Sequence, residues 1–240
     1  MPKHGCRKPL LLTIQQTIMK SILFLIISCL LSAVPLNAEQ ANRCHCFRNR
    51  EFKADNRFSA DDYLLTTSFN SLVATTLDVS KKEIIMQMMK GGVAPTDLVI
   101  ALYIARESGL TPEILLAIHD NGGTWQEILH SQTLKDKQNN TPILKAITDG
   151  AATKTILRKI TDWMLAERFG ITQKELSCLQ PSDFTYKETA LLFILHKITD
   201  TPINLLIDLT RNQGMSWSEI AHNGGMTPAE VGKAVLQKRA

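Results

Sequence analysis

Cys44 and Cys46 flank His45 in the hexapeptide NRCHCF, Asn42 to Phe47. Thiols at i and i+2 project to one side of an extended segment. With the imidazole they would offer Zn or Cu(I) two soft ligands and a nitrogen. That is half a metal site. No second Cys-x-x-Cys or His pair at ligand spacing follows, and the Cys-x-x-Cys-His haem signature is absent. Disulfide formation needs the same thiols, and Cys178 belongs to the same set. Three readings of Cys44, Cys46 and Cys178 therefore stand open: a disulfide or structural role, thiol-redox or metal chemistry with His45, or no role. No cofactor besides Zn or Cu is implied, and no residue is expected to be catalytic.

The remaining chemistry-bearing residues are scattered. His119-Asp120 is the dipeptide carried by all-helical, metal-dependent phosphohydrolases of the HD type, which also need an earlier His and a later Asp on neighbouring helices. After the leader, the only earlier His is His45. At a helix C-terminus, His119 and Asn121 are expected instead as partners of free carbonyls. His130, His196 and His222 stand singly, without a Ser or Cys nucleophile at recognisable spacing. Gly91-Gly92, Gly122-Gly123 and Gly224-Gly225 read as helix ends, not phosphate loops.

The compartment comes from the N-terminus. From Met19 the chain reads MKSILFLIISCLLSAVPLNAEQ: a Lys, an apolar run of about fifteen residues, Pro35, and small Ala38 before a polar segment. This predicts a signal peptide over residues 1–38, cleaved after Ala38, with two starts open: Met19, or Met1 with residues 1–18 lengthening the n-region. The run is short for a transmembrane helix. Three rivals are a buried core helix, an uncleaved leader that would itself hold the chain at the membrane, and lipidation at Cys29, where Ile26-Ile27-Ser28-Cys29 loosely follows a lipobox. Export to a bacterial periplasm or cell envelope removes Cys6 and Cys29. An odd set of three cysteines then remains in an oxidising space.

Charge bears on nucleic-acid binding. The 240 residues carry 27 Lys and Arg, 23 Asp and Glu, and a formal charge of +4. Lys3, Arg7, Lys8 and Lys20 fall in the leader, which has no acidic residue, so 23 basic side chains face 23 acidic ones in the remainder. A DNA-binding domain needs a surplus of Lys and Arg to displace counterions from phosphates, and the mature chain has none.

The elements that would position these residues are helices. No window sustains a period of two, whereas apolar residues recur at helical spacing in Leu98, Ala101, Leu102 and Ala105, and again in Ile156, Ile160, Met164 and Leu165. Thr111-Pro112, Thr141-Pro142, Thr201-Pro202 and Thr227-Pro228 each set a capping hydroxyl before a proline suited to the first helical position. Ser80-Lys-Lys-Glu83 and Thr172-Gln-Lys-Glu175 are capping boxes. Arg48 to Asp61 reads as a solvated loop, with Asp61-Asp62 placed against the dipole of the helix they open.

These signals recur in register. Val79 to Ile84 matches Ile171 to Leu176, and Thr124-Trp-Gln-Glu-Ile128 matches Ser216-Trp-Ser-Glu-Ile220, both at an offset of 92. Gly109 to Leu115 matches Asp200 to Leu206 more loosely. The expected fold is all-α, with two tandem, internally duplicated units of about four short helices each. The expected boundaries are a Cys-containing extended segment over 39–60, helical unit 1 over 61–135, a joint over 136–152, and helical unit 2 over 153–240.

Gly-x-x-Trp-x-Glu-Ile is the sharpest repeated element. Its Gly ends one helix, Thr124 or Ser216 caps the next, Glu127 or Glu219 falls at N3, and Trp125 or Trp217 is a buried structural anchor. Together with the leader, the Cys-x-Cys-Phe segment and Ile104 to Leu115, this motif resembles a group of uncharacterised exported bacterial helical-repeat proteins. The resemblance covers roughly residues 39 to 240 and implies a fold and a compartment, with no catalytic residues to transfer. Lys197 to Thr201 departs from the pattern, because KITDT replaces a Gly-Leu-Thr turn.

Trp217 to Ala221 and Thr227 to Val231 also resemble a helix-turn-helix DNA-binding module. The recognition helix would present Thr227, Pro228, Ala229 and Glu230 where base-reading Arg, Asn, Gln or Lys are required. The expected protein is thus a non-catalytic binding or structural component of the cell envelope. Its partner is an unknown protein or envelope component, and no nucleic acid is expected. Envelope thiol-redox or metal binding through Cys44, His45 and Cys46, and DNA binding, are the alternatives.

Overall fold

Proline, glycine and capping hydroxyls punctuate the chain into short helices. The computed structural model describes residues 47–90, 92–131, 141–179 and 184–237. Among them the chain forms twelve helices and no strand: α1 (Asp61–Thr76), α2 (Lys81–Lys90), α3 (Pro95–Ser108), α4 (Pro112–Asp120), α5 (Trp125–His130), α6 (Pro142–Thr148), α7 (Thr153–Phe169), α8 (Gln173–Leu176), α9 (Tyr186–Thr199), α10 (Ile203–Arg211), α11 (Trp217–Asn223) and α12 (Pro228–Leu236). The all-α expectation is met. The leader, including its cleavage site, and the Cys44-His45-Cys46 segment lie outside the described residues.

Local signals explain most boundaries. Thr172, Thr185, Ser216 and Thr227 each accept the amide three residues on, and a glutamate there closes the capping box. Thr141 likewise accepts from the Leu144 amide, with Pro142 opening α6. Thr201-Pro202 is displaced by one residue: Pro202 is itself the cap, and α10 starts at Ile203. At the end of α3, Gly109 takes φ 72°, the left-handed conformation that closes a helix without a Cβ penalty. Asp200 takes φ 54° at the end of α9. The KITDT departure therefore keeps the same turn, with an aspartate where glycine is favoured.

Packing differs from two consecutive four-helix units. Residues 61–131 hold five helices, the expected joint contains α6, and residues 43–240 make one compact unit. The first helix is central: α1 packs on α2, α7, α9, α11 and α12, while α3 and α6 pack on α7. Leu64, Phe69, Leu72 and Val73 of α1 are buried, as are Thr67, Ser68, Asn70 and Ser71. A helix surrounded in this way shows no apolar stripe, because nearly every face meets another element.

Small residues permit the closest of these approaches. A Cβ on Gly232 of α12 would lie 3.1 Å from Thr67 Oγ1 and 3.4 Å from Lys81 Nζ. Lys81 donates to Thr67 O at 2.9 Å, Thr67 Oγ1 at 2.7 Å and Ser71 Oγ at 2.8 Å. Burial lowers its pKa to about 8. Across the centre, Arg106 of α3 lies 4.6 Å over the Trp163 ring and donates to Thr76 O at 2.8 Å, closing the C-terminus of α1. No helix among the described residues is long and apolar enough to cross a membrane.

Candidate functional site

The repeated tryptophan junctions are the best-defined candidate. Gly122 and Gly214 adopt φ 94° and 62°, turning the chain ahead of each motif. In the first junction, Thr124 Oγ1 accepts the Glu127 amide at 3.2 Å, and Glu127 Oε2 accepts the Thr124 amide at 2.9 Å. In the second, Ser216 Oγ accepts the Glu219 amide at 3.0 Å, and Glu219 Oε2 lies 3.4 Å from the Ser216 amide nitrogen. Backbone and then side-chain hydrogen bonds from Thr124 hold the Glu127 carboxyl below its usual range. The same arrangement lowers Glu175 against Thr172 and Glu230 against Thr227.

Both tryptophans are buried, Trp125 to 7% exposure and Trp217 to 6%. Trp125 is stacked on His119 with centroids 4.3 Å apart. His119 Nδ1 lies 2.7 Å from Gly123 O, and Nε2 lies 3.6 Å from Asp97 Oδ1. Asn121 Nδ2 donates to Ala117 O at 2.7 Å. This polar group thus joins α3, α4 and α5. In the second half, Trp217 is tilted against Phe184, and Arg211 lies 4.3 Å over the Phe184 ring. A cation on an aromatic face there does the packing that the His119–Trp125 stack does in the first half.

The second junction has a further layer, supplied from far away in sequence. Asp61, the first residue of α1, accepts from the Trp217 amide at 3.0 Å and the Ser218 amide at 2.9 Å. Ser218 Oγ lies 2.6 Å from Asp61 Oδ1 and 3.0 Å from Arg57 O. Arg57 pairs with Glu219, and its Nη2 lies 3.4 Å from Gly214 O. Phe52 stacks on His222 at 4.9 Å, and Phe47 leans on Tyr63 at 5.5 Å. Residues 47–60 are therefore a strap bonded to α11, not the free solvated loop expected. Likewise Asp61 caps α11, with Asp62 left to the terminus of α1. Sequence carried no signal for this partnership, because 157 positions separate Asp61 from Ser218.

The other candidate groups do not converge. Cys178 is an exposed free thiol whose Sγ lies 3.4 Å from Lys174 O. No disulfide forms among the described residues. Nor does any group of three or more His, Cys, Asp or Glu come together there as a metal site. His196 Nδ1 lies 2.7 Å from Thr201 O at the end of α9, and His130 is exposed. α11 and α12 are two helices joined by the turn at 224–227, but Pro228, Val231, Gly232 and Val235 are buried and α12 packs on α1. Thr227, Glu230, Lys233 and Leu236 remain on its exposed side. No protein-family model matches the chain, no curated protein matches it in sequence, and no solved structure matches it in fold.

Proposed function

We propose that this is an exported helical-repeat component of a bacterial cell envelope, with a binding or structural task, and that its chain is an internal duplication. The carrying observation is the use made of the repeated motif. Glu127 and Glu219 close on Thr124 and Ser216 as capping boxes, and Trp125 and Trp217 are buried, so the repeat is a way of joining helices. The duplication is further supported by the capped starts at Ser80 and Thr172 and by the left-handed closures at Gly109 and Asp200.

Export rests on the leader sequence from Met19 to Ala38. Binding is supported by Ile114 and Ile118 on α4 and Leu205 on α10, large apolar side chains left exposed. The acidic, capped N-terminus of α12 and its packing on α1 weigh against insertion into a DNA groove. Fractionation of a tagged chain with N-terminal sequencing tests the reading. Recovery from periplasm or envelope with a terminus at or near Glu39 is expected; an unprocessed cytoplasmic chain would sink it.

The exposed thiol of Cys178 favours one second reading, an envelope thiol-redox or metal protein in which Cys44, His45 and Cys46 take part. Thiol titration with metal analysis of the mature protein separates the two. One quantitative disulfide and no bound metal would eliminate it.

A further inference from the structure

His119 meets an oxygen at each ring nitrogen: Gly123 O lies 2.7 Å from Nδ1, and Asp97 Oδ1 lies 3.6 Å from Nε2. A carbonyl only accepts, so Nδ1 carries the proton, and in the neutral ring Nε2 turns its lone pair toward the carboxylate. Two acceptors set face to face require a cation between them, either a proton or a metal ion. Distance decides between the two. A charge-assisted N–H···O bond spans about 2.7–2.9 Å. A nitrogen and an oxygen bound tetrahedrally to one zinc ion stand roughly 3.3–3.5 Å apart, given bonds of about 2.0–2.2 Å. The observed 3.6 Å lies beside the second range and well outside the first.

We propose that His119 Nε2 and the Asp97 carboxylate bind a divalent transition-metal ion, with zinc the best match, where the first turn of α3 meets the last turn of α4. Imidazole and carboxylate are donors that zinc accepts. The ring is already held as a metal ligand is held: its Nδ1–H goes to a carbonyl, which fixes the tautomer, and its face stacks on Trp125 with centroids 4.3 Å apart. Side-chain exposures of 27% for His119 and 28% for Asp97 leave the pair open to the ion and to the waters that complete its coordination. No group of three or more His, Cys, Asp or Glu forms a metal site among the described residues. With two protein donors, this is an exchangeable site with open positions, unlike a structural zinc centre closed by four. It depends neither on export nor on the Cys44-His45-Cys46 segment.

Zinc chloride titrated into purified protein carrying Cys44→Ser, Cys46→Ser and Cys178→Ser tests this with the thiols out of play. In proton–nitrogen correlation spectra of the imidazole rings, zinc should move the His119 Nε2 resonance while Nδ1 keeps its proton. Asp97→Asn in the same background should weaken that response about tenfold or more, at least the loss that follows removal of an outer-shell partner. A His119 Nε2 resonance that acid moves and zinc leaves in place identifies a plain ion pair with Asp97 and overturns the proposal. A zinc response equal with and without Asp97→Asn overturns it too. Should the triple serine variant fail to fold, the same titration on folded parent protein with alkylated thiols decides. Thiol titration of the unsubstituted chain reports on the redox reading and fractionation on the compartment, so the three fail separately.

Discussion

Replacing Asp61 with alanine should loosen the junction between the two ends of the chain, and the cost can be worked from the geometry. The carboxylate accepts two amides of the first turn of α11, from Trp217 at 3.0 Å and Ser218 at 2.9 Å. Loss of an N-terminal cap costs about 1–2 kcal/mol. Part-buried amides left without an acceptor cost about 1–3 kcal/mol. Because these terms overlap, about 2–3 kcal/mol is expected for Asp61→Ala. In a chain of this length that corresponds to a fall in Tm of about 5–10 °C.

Asp61→Asn should behave differently. Burial raises the Asp61 pKa above the ordinary aspartate range, outweighing the hydrogen bonds from Ser218 and Trp217 that lower it. The negative charge is thus a net burden at this site, and the acceptor oxygens, one for each amide, are what α11 needs. Asparagine keeps one of the two accepting oxygens and turns a donor toward the other amide, so its cost should be about 1–2 kcal/mol, smaller than that of alanine. The folded state binds the Asp61 proton more tightly than the unfolded state does. As pH falls through the raised value toward the ordinary one, the parent therefore gains stability, a gain the Asn variant lacks. Paired denaturant titrations of the three proteins at neutral pH and near pH 4 check this. Equal losses for Ala and Asn, or a parent whose advantage over Asn shrinks on acidification, would refute the reasoning.

Three further outcomes follow from the same geometry. The Lys81 pKa is lowered to about 8 by burial, so the folded state binds fewer protons between that value and the ordinary lysine value; stability should rise with pH across this window by about 1 kcal/mol after solvent screening, and Lys81→Met should abolish the rise in a pH series of urea melts. Asp200→Gly should stabilise the fold by about 0.5–1 kcal/mol by relieving a left-handed aspartate, whereas Gly109→Ala at the matching helix end should destabilise by about 1 kcal/mol, both read as shifts in Tm. Gly232→Val should cost about 1–3 kcal/mol, since its Cβ would already press on Thr67 Oγ1 at 3.1 Å, and the loss should appear in denaturant unfolding as a lower midpoint with an unchanged slope.

Local chemistry made the helix punctuation legible. Thr124 with Glu127 and Ser216 with Glu219 satisfy first-turn amides from within four residues, so spacing alone identifies them. The burial of Leu98, Ala101, Leu102 and Ala105 follows similarly from helical period. The box at Thr185 and Glu188 was equally readable in type and spacing, although masked by the polar residues around it. Glycine's preference for left-handed backbone made Gly109 readable, while the same turn at Asp200 was hidden because aspartate only tolerates it.

What the sequence by itself determined is the helical class, most of the caps (Thr111 and Thr201, expected to cap, make no side-chain cap bond), the 92-residue recurrence and the composition of the leader, all set by neighbours along the chain. Tertiary structure alone decided that α1 is the central helix and that Asp61 and the strap complete the junction at Trp217. The physical reason is the range of the interactions. A capping hydroxyl acts within one turn, whereas the burial of α1 among α7, α9, α11 and α12, and the need of the α11 amides for an acceptor, are met by whichever distant groups packing delivers.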